Sequence, residues 1–160
     1  MIIDTYRFGP VEIDENKIIY FEDGLPGLEE YKRFAILQFE GSYPILWLQS
    51  VQDENICLPV VDSFFVKPEY SFDISDDDVK HLSLAGPEDL KIISVLVIPE
   101  NIEQMTINLA APIVINTRNG KARQVIISNG EYNVRAPIFK EIMRLIKEGD
   151  ANAGSVKKAE

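Results

Sequence analysis

Pro112-Ile113-Val114-Ile115-Asn116-Thr117-Arg118-Asn119-Gly120-Lys121-Ala122-Arg123-Gln124-Val125-Ile126-Ile127-Ser128-Asn129-Gly130-Glu131-Tyr132-Asn133-Val134 holds two Asn-Gly pairs, each set between β-rich runs. Asn-Gly accepts the positive φ angles of a type I′ hairpin turn at little cost. The stretch therefore predicts three consecutive antiparallel strands: Pro112 to Thr117, Ala122 to Ser128 and Glu131 to Val134. Such a ribbon cannot bury its apolar face alone and leaves two bare edges, so more of the chain must pack against it or close it.

The rest of the sequence supplies those partners. Upstream, short β-rich runs recur with turn residues between them: Ile2 to Phe8, Val11 to Ile13, Ile18 to Phe21, Phe34 to Phe39, Ile45 to Val51, Ile56 to Val61, Lys91 to Ile98 and Met105 to Leu109. Gly41-Ser42-Tyr43-Pro44 and Asp53-Glu54-Asn55 separate three of these runs and predict a second meander. Packing the two meanders together, or closing them into one barrel, buries both apolar faces and removes most edges. The predicted fold is mainly β: a single antiparallel β-barrel-like domain with a short acidic helix and a C-terminal helix.

Two segments break the β pattern. Ser75-Asp76-Asp77-Asp78 places a capping hydroxyl and three acids where a helix dipole favours negative charge, predicting a short helix to about Leu82. A calcium loop would need more spaced oxygen ligands, a downstream Glu in register and a Gly at its sharp turn, and the segment lacks that Gly. No metal site is predicted. In Pro137 to Glu148, Ile138, Ile142, Leu145 and Ile146 fall on one helical stripe that should dock on the barrel. The domain is read as residues 1–148, and the small, polar, aperiodic stretch 149–160 as a disordered tail.

Composition fits this picture. The chain has 160 residues, 46% of them hydrophobic, enough for one domain with a sizeable core. Its formal charge is −10, and the first 80 residues hold 17 of the 26 acidic side chains against 6 of the 16 basic ones. That balance disfavours direct nucleic-acid binding, which is carried largely by Lys and Arg, and directs attention to a basic protein partner. The single cysteine cannot form an internal disulfide, and no Asn-x-Ser/Thr acceptor occurs. The N-terminal residues lack the basic flank and apolar run of a signal peptide. No apolar stretch reaches the roughly 18 residues that suggest a membrane span, so a cytoplasmic protein without membrane association is expected.

Catalytic and cofactor constellations are missing from the sequence. No Gly-x-Gly-x-x-Gly, Walker loop, Cys-x-x-Cys or His-x-x-x-His spacing occurs. His81 sits at the end of the acidic helix, where a histidine suits the helix C-terminus. Cys57 lies inside a predicted strand and reads as a small buried hydrophobe. No catalytic residue and no cofactor are assigned. Phe64, Phe65, Tyr70 and Phe72 surround Lys67-Pro68-Glu69 just before the acidic helix. Two or three of these rings are expected in the core and the remainder at the surface, while Trp47, within Ile45-Leu46-Trp47-Leu48, reads as core.

Four strings carry a further signal: Phe21-Glu22-Asp23-Gly24-Leu25-Pro26-Gly27-Leu28-Glu29, Trp47-Leu48-Gln49-Ser50, Asn108-Leu109-Ala110-Ala111-Pro112-Ile113-Val114-Ile115-Asn116, and Gln124-Val125-Ile126. In order and spacing they resemble the FliW family of flagellar assembly factors, from Met1 to about Lys147. Two departures are Leu28, where the family more often has Phe, and Ser63, where Pro is frequent. The strings also have a structural reading. Gly24 and Gly27 flanking Leu25-Pro26 suit a tight turn with at least one positive φ, and Pro112 can begin a strand where a lost N–H costs little.

The resemblance implies a non-enzymatic protein, a monomer when free, with two partners. FliW-like proteins bind flagellin in the cytoplasm and, once flagellin is exported, bind the RNA-binding regulator CsrA and relieve its repression of flagellin translation. On that reading the acidic segment with Asp73, Asp76, Asp77 and Asp78 is the expected CsrA contact, since a basic partner is drawn to dense negative charge. Flagellin is met through its helical terminal region, and a helix lays its apolar stripe on aliphatic and aromatic side chains. Phe65, Val66 and Tyr70 are the expected anchors. The rival classes are a small-ligand-binding β-barrel or hydrolase, which needs a cavity with convergent polar groups, and a purely structural subunit, which needs a self-complementary apolar patch.

Overall fold

A computed structural model describes residues 1–127 and 130–159, with side chains as far as residue 149. Two short strands, β1 (Ile2–Thr5) and β2 (Gly9–Glu12), form a separate hairpin. Then follow β3 (Ile19–Phe21), β4 (Arg33–Leu37), β5 (Leu46–Ser50), β6 (Cys57–Asp62), α1 (Ser63–Val66), α2 (Asp76–Leu82), β7 (Leu90–Val97) and β8 (Thr106–Ile107). The chain ends with β9 (Ile113–Asn116), β10 (Lys121–Gln124), β11 (Ala136–Pro137) and α3 (Phe139–Ala159).

β3, β4, β5, β6, β7, β9 and β10 pair in that order, and β10 returns to β3, so seven strands close into a barrel. Strands that alternate in direction return to phase only in even numbers. A seven-stranded ring must therefore contain a parallel neighbour, and it is β3 with β10, in register at Tyr20↔Lys121 and Phe21↔Ala122. Every other neighbour in the ring is antiparallel, including the expected β4–β5–β6 meander.

The period-2 alternation of side chains gives each barrel strand an inner and an outer set. Phe21, Phe34, Leu48, Val60, Ile93 and Ile113 fill the interior, with Phe21 and Phe34 edge-to-face at 5.4 Å. The outer sets are buried as well. The β1–β2 hairpin covers Ala35, Leu37 and Trp47. α1, α3 and β8 cover Val61, Ile92 and Leu96, and Leu82 of α2 covers Val114 and Val125. Strands buried on both faces lose polar alternation, which is why Ile45-Leu46-Trp47-Leu48 reads as a continuous apolar run.

The decisive stretch folds partly as expected. β9 and β10 pair antiparallel, but through the four-residue loop Thr117–Gly120 in place of a two-residue turn. Gly120 takes φ +79° and donates its N–H to Asn116 O at 2.8 Å, while the Asn119 side chain accepts from Lys121 N–H at 2.9 Å. The third strand, expected over Glu131 to Val134, does not form. After Gly130 (φ +75°) the chain leaves β10: Asn133 O accepts from Leu109 N–H, and the Tyr132 ring packs on Tyr70 at 4.7 Å. The strand appears later, as β11 against β8. Tyr132 gains a buried aromatic neighbour by this departure, and a continued ladder would have denied it one. Ser128 and Asn129 lie outside the described residues.

Ile142 and Leu145 of α3, with Ile138 just ahead of it, dock into the outer core, as the periodicity predicts. Its backbone continues past Gly149, where the sequence reading ends the helix, to Ala159. No proline interrupts that run, and Ala and Lys are good helix formers. The side chains of residues 150–160 lie outside the described residues.

The two loop glycines differ in what surrounds them. A Cβ on Gly120 would lie 2.8 Å from Ile18 O, at the junction with β3, whereas one on Gly130 meets nothing within 4 Å. Both pay the left-handed φ cost of about 1–2 kcal/mol with a side chain. Gly120→Val should therefore lower the melting temperature clearly more than Gly130→Val, and equal thermal shifts in calorimetry would contradict the seam described for β3 and β10.

Candidate functional site

One continuous strap, residues 62–82, carries most of the candidate residues across the outside of the barrel. It starts where Asp62 caps α1, its carboxylate accepting from Phe64 N–H at 2.9 Å. α1 is a single turn and splits its side chains by position. Ser63 and Val66, three apart, face inward; Phe64 and Phe65 are 43% and 50% exposed. The Ser63 hydroxyl is hydrogen-bonded to that of Ser94 at 2.7 Å in a fully buried pair.

This placement corrects two of the three expected apolar anchors. Phe65 is at the surface, but Val66 and Tyr70 are buried. Tyr70 donates its hydroxyl to Leu109 O at 2.6 Å and packs, with rings tilted or edge-on, against Phe72, Tyr132 and, at 6.2 Å, Phe64. Burial satisfies the ring and its polar tip together, which is the usual fate of a tyrosine with a carbonyl in reach. The residue that sequence reasoning passed over is Phe64. The Asp62 cap before an apolar pair and Pro68 six residues after the cap were the signal for a one-turn helix, and such a helix would have exposed Phe64 with Phe65.

Further along the strap, Ser75 caps α2 as expected, its hydroxyl oxygen accepting from Asp78 N–H at 3.1 Å. The four acids then fare differently. Asp73, Asp76 and Asp77 are exposed. Asp78 is turned inward, its side chain only 14% exposed, and receives Arg123 Nη1 at 3.1 Å. The same nitrogen reaches Asp77 at 3.1 Å, and Nη2 reaches Asp23 at 3.5 Å. His81, in the last turn of α2, points Nε2 at Glu22 and Asp23, 3.6 Å from each. The Glu22-Asp23 turn and the start of α2 thus form one acidic surface around a single arginine from β10.

The matched motif residues serve the fold. Gly24 and Gly27 take φ +72° and +82° and bring Leu25 and Leu28 into an isolated bridge. A Cβ on Gly24 would sit 2.5 Å from Glu29 Cα, so that site admits only glycine. Gln49 is fully buried and donates to the carbonyls of Ser50, Asp53 and Glu54. The Asn108 side chain accepts from Ala110 N–H and Ala111 N–H, and Asn116 donates to Leu82 O and Ser83 O, tying α2 to β9. Trp47 is buried as expected, and Cys57 is half-buried, its thiol pushed up by burial against a weaker pull from Arg7.

Fold and surface together define a small closed-barrel protein with a packed interior and accessory elements on its outer faces. Comparison with known proteins gives the family. A family model described as FliW protein matches residues 2–138. A flagellar assembly factor FliW from Thermosipho africanus is 41% identical over 130 residues, 81% of this chain and 90% of that protein. One from Alkaliphilus metalliredigens is 36% identical over 94% of this chain and 93% of that protein. A crystal structure of the flagellar assembly factor FliW superposes with a TM-score of 0.81 at 34% identity, covering 87% of this chain and 97% of that one. The chain belongs to the FliW family. These relatives are named as assembly factors, not as enzymes, and no helix among the described residues is long and apolar enough to cross a membrane.

The buried Tyr70 gives this region a pH signature. Its phenol is pushed well above the ordinary tyrosine value, first by burial and then by Tyr132 beside it. Folding thus favours the protonated form. That contribution is complete below the ordinary pKa of about 10 and is lost as pH rises above it. Tyr70→Phe should cost about 0.5–1.5 kcal/mol at neutral pH through the lost bond to Leu109 O. It should also show a shallower fall of melting temperature above about pH 10 than the parent. Parallel alkaline profiles would contradict this account.

Proposed function

We propose that this chain is a cytoplasmic switch between two protein partners, binding flagellin and, when flagellin has been exported, binding CsrA and relieving its repression of flagellin translation. The observation that carries this reading is the family match across residues 2–138, whose named relatives are flagellar assembly factors. The surface is compatible in kind. Asp73, Asp76 and Asp77 stand exposed on or beside α2, where they would draw a basic RNA-binding protein. Phe64 and Phe65 offer an apolar footing for an amphipathic helix. A ligand-holding barrel is disfavoured because Phe21, Phe34 and Leu48 occupy the interior.

Titrating purified flagellin against CsrA, with each labelled in turn, tests the reading directly: each should displace the other, and binding of neither at micromolar concentration would overturn it. Within that assay, Asn at Asp73, Asp76 and Asp77 should slow CsrA association and flatten its salt dependence. Asp78 is left unchanged because its contact with Arg123 is partly buried. Alanine at Phe64 and Phe65 should weaken flagellin binding by about 1–3 kcal/mol each. A folded double variant with unchanged flagellin affinity would place that contact elsewhere.

A further inference from the structure

β4 is paired unequally on its two sides. Toward β5 the ladder runs from Phe34↔Ser50 to Leu37↔Trp47, but toward β3 it holds only Arg33 and Phe34. Two bonds fix the alternation of backbone groups: Val51 N–H donates to Arg33 O at 3.0 Å, and Phe21 N–H to Lys32 O at 2.8 Å. Odd-numbered residues here address β5 and even-numbered ones address β3. The N–H and C=O of Ile36, and of Gln38 just past the strand, therefore open onto an edge that carries no strand, and among the described residues no backbone hydrogen bond fills it.

The place is vacant because the chain before β3 turns away. Residues Glu15–Lys17 form one 3₁₀ turn, capped by the Asp14 carboxylate, which accepts from Asn16 N–H at 2.9 Å. The turn and β2 stand off from β4 and leave a cavity of about 350 Å³, lined by residues 35–39, residues 11–14 and Lys17. Along its outer wall half-buried Val11 and Ile13 alternate with exposed Glu12 and Asp14. None of Phe64, Phe65, Asp73, Asp76 or Asp77 lines it.

We propose that this groove is a strand-addition site, which takes an extended segment of a partner protein whose Lys or Arg residues alternate with apolar ones. Unpaired, evenly spaced N–H and C=O groups recognise the backbone of a β-strand and little else. The alternation of carboxylates and aliphatic side chains on the wall selects the guest's sequence pattern. A second copy of this chain is a poor guest, since each copy carries a net charge of −10.

The test uses a set of capped hexapeptides of the form Lys-Xaa-Lys-Xaa-Lys-Xaa, with Val, Ile, Leu, Phe or Thr at each Xaa, followed by amide NMR on the full chain. At least one peptide should shift residues 35–39 and 11–14 and slow hydrogen exchange at Ile36 and Gln38. Gln38→Pro removes an N–H that serves no bond among the described residues, so the variant should stay folded and bind about tenfold or more weakly, a loss of at least about 1.4 kcal/mol. N-methylation of alternate peptide residues should have a similar effect, and Glu12→Gln with Asp14→Asn should flatten the salt dependence. The proposal is overturned if no peptide shifts these residues. It is equally overturned if the N-methylated peptide or folded Gln38→Pro binds as the parent does, or if the chain dimerises through this edge.

Discussion

An odd number of strands sets the terms for this molecule. Seven strands in a ring leave one pair pointing the same way, and parallel neighbours need a crossover where antiparallel ones need only a hairpin. Here the chain between β3 and β10 is residues 22–120, more than half of the 160. The seam is held at two register positions, with Tyr20 N–H on Gly120 O, and is tight enough that a Cβ on Gly120 would collide with Ile18 O. β3 is short. Because the chain ahead of Ile19 turns away as the Glu15–Lys17 turn, β4 continues alone past Phe34, which leaves the groove beside Ile36 and Gln38.

Much of this was legible in the sequence because local chemistry and tertiary structure agree there. Turn residues between alternating or continuous apolar runs gave ten of the eleven strands among the described residues, and the cap at Ser75 and the stripe from Ile138 to Leu145 gave two helices. The failures have a common cause, since each depends on a contact distant in sequence. Tyr132 leaves the ladder for Tyr70, 62 positions earlier. Val66 and Tyr70 look like surface anchors until the barrel supplies the wall that buries them. The parallel seam follows from a strand count that no single segment reveals.

The acidic surface shows the same division between local and distant causes. Sequence proximity groups Asp73, Asp76, Asp77 and Asp78, but the fold regroups them. Arg123 holds Asp77 and Asp78 and draws in Asp23, while His81 faces Glu22 and Asp23. An arginine shared among three carboxylates lowers repulsion within the cluster without neutralising it. The surface keeps a net negative charge and a defined arrangement, the combination that on the proposed reading would steer a basic partner and limit its orientations.

The strings that identify the family are the most internally occupied part of the chain. Gln49, Asn108 and Asn116 spend their amide groups on backbone atoms, and Gly24 has no space for a side chain. A buried side chain tied to backbone atoms in this way has little left to offer a partner, and moving it would cost the fold. Family resemblance here reports a shape. On the proposed reading, partner choice would rest on side chains that the shape leaves exposed, such as Phe64 and Phe65 on α1 and the carboxylates beside α2, and on the backbone groups that it leaves unpaired along β4.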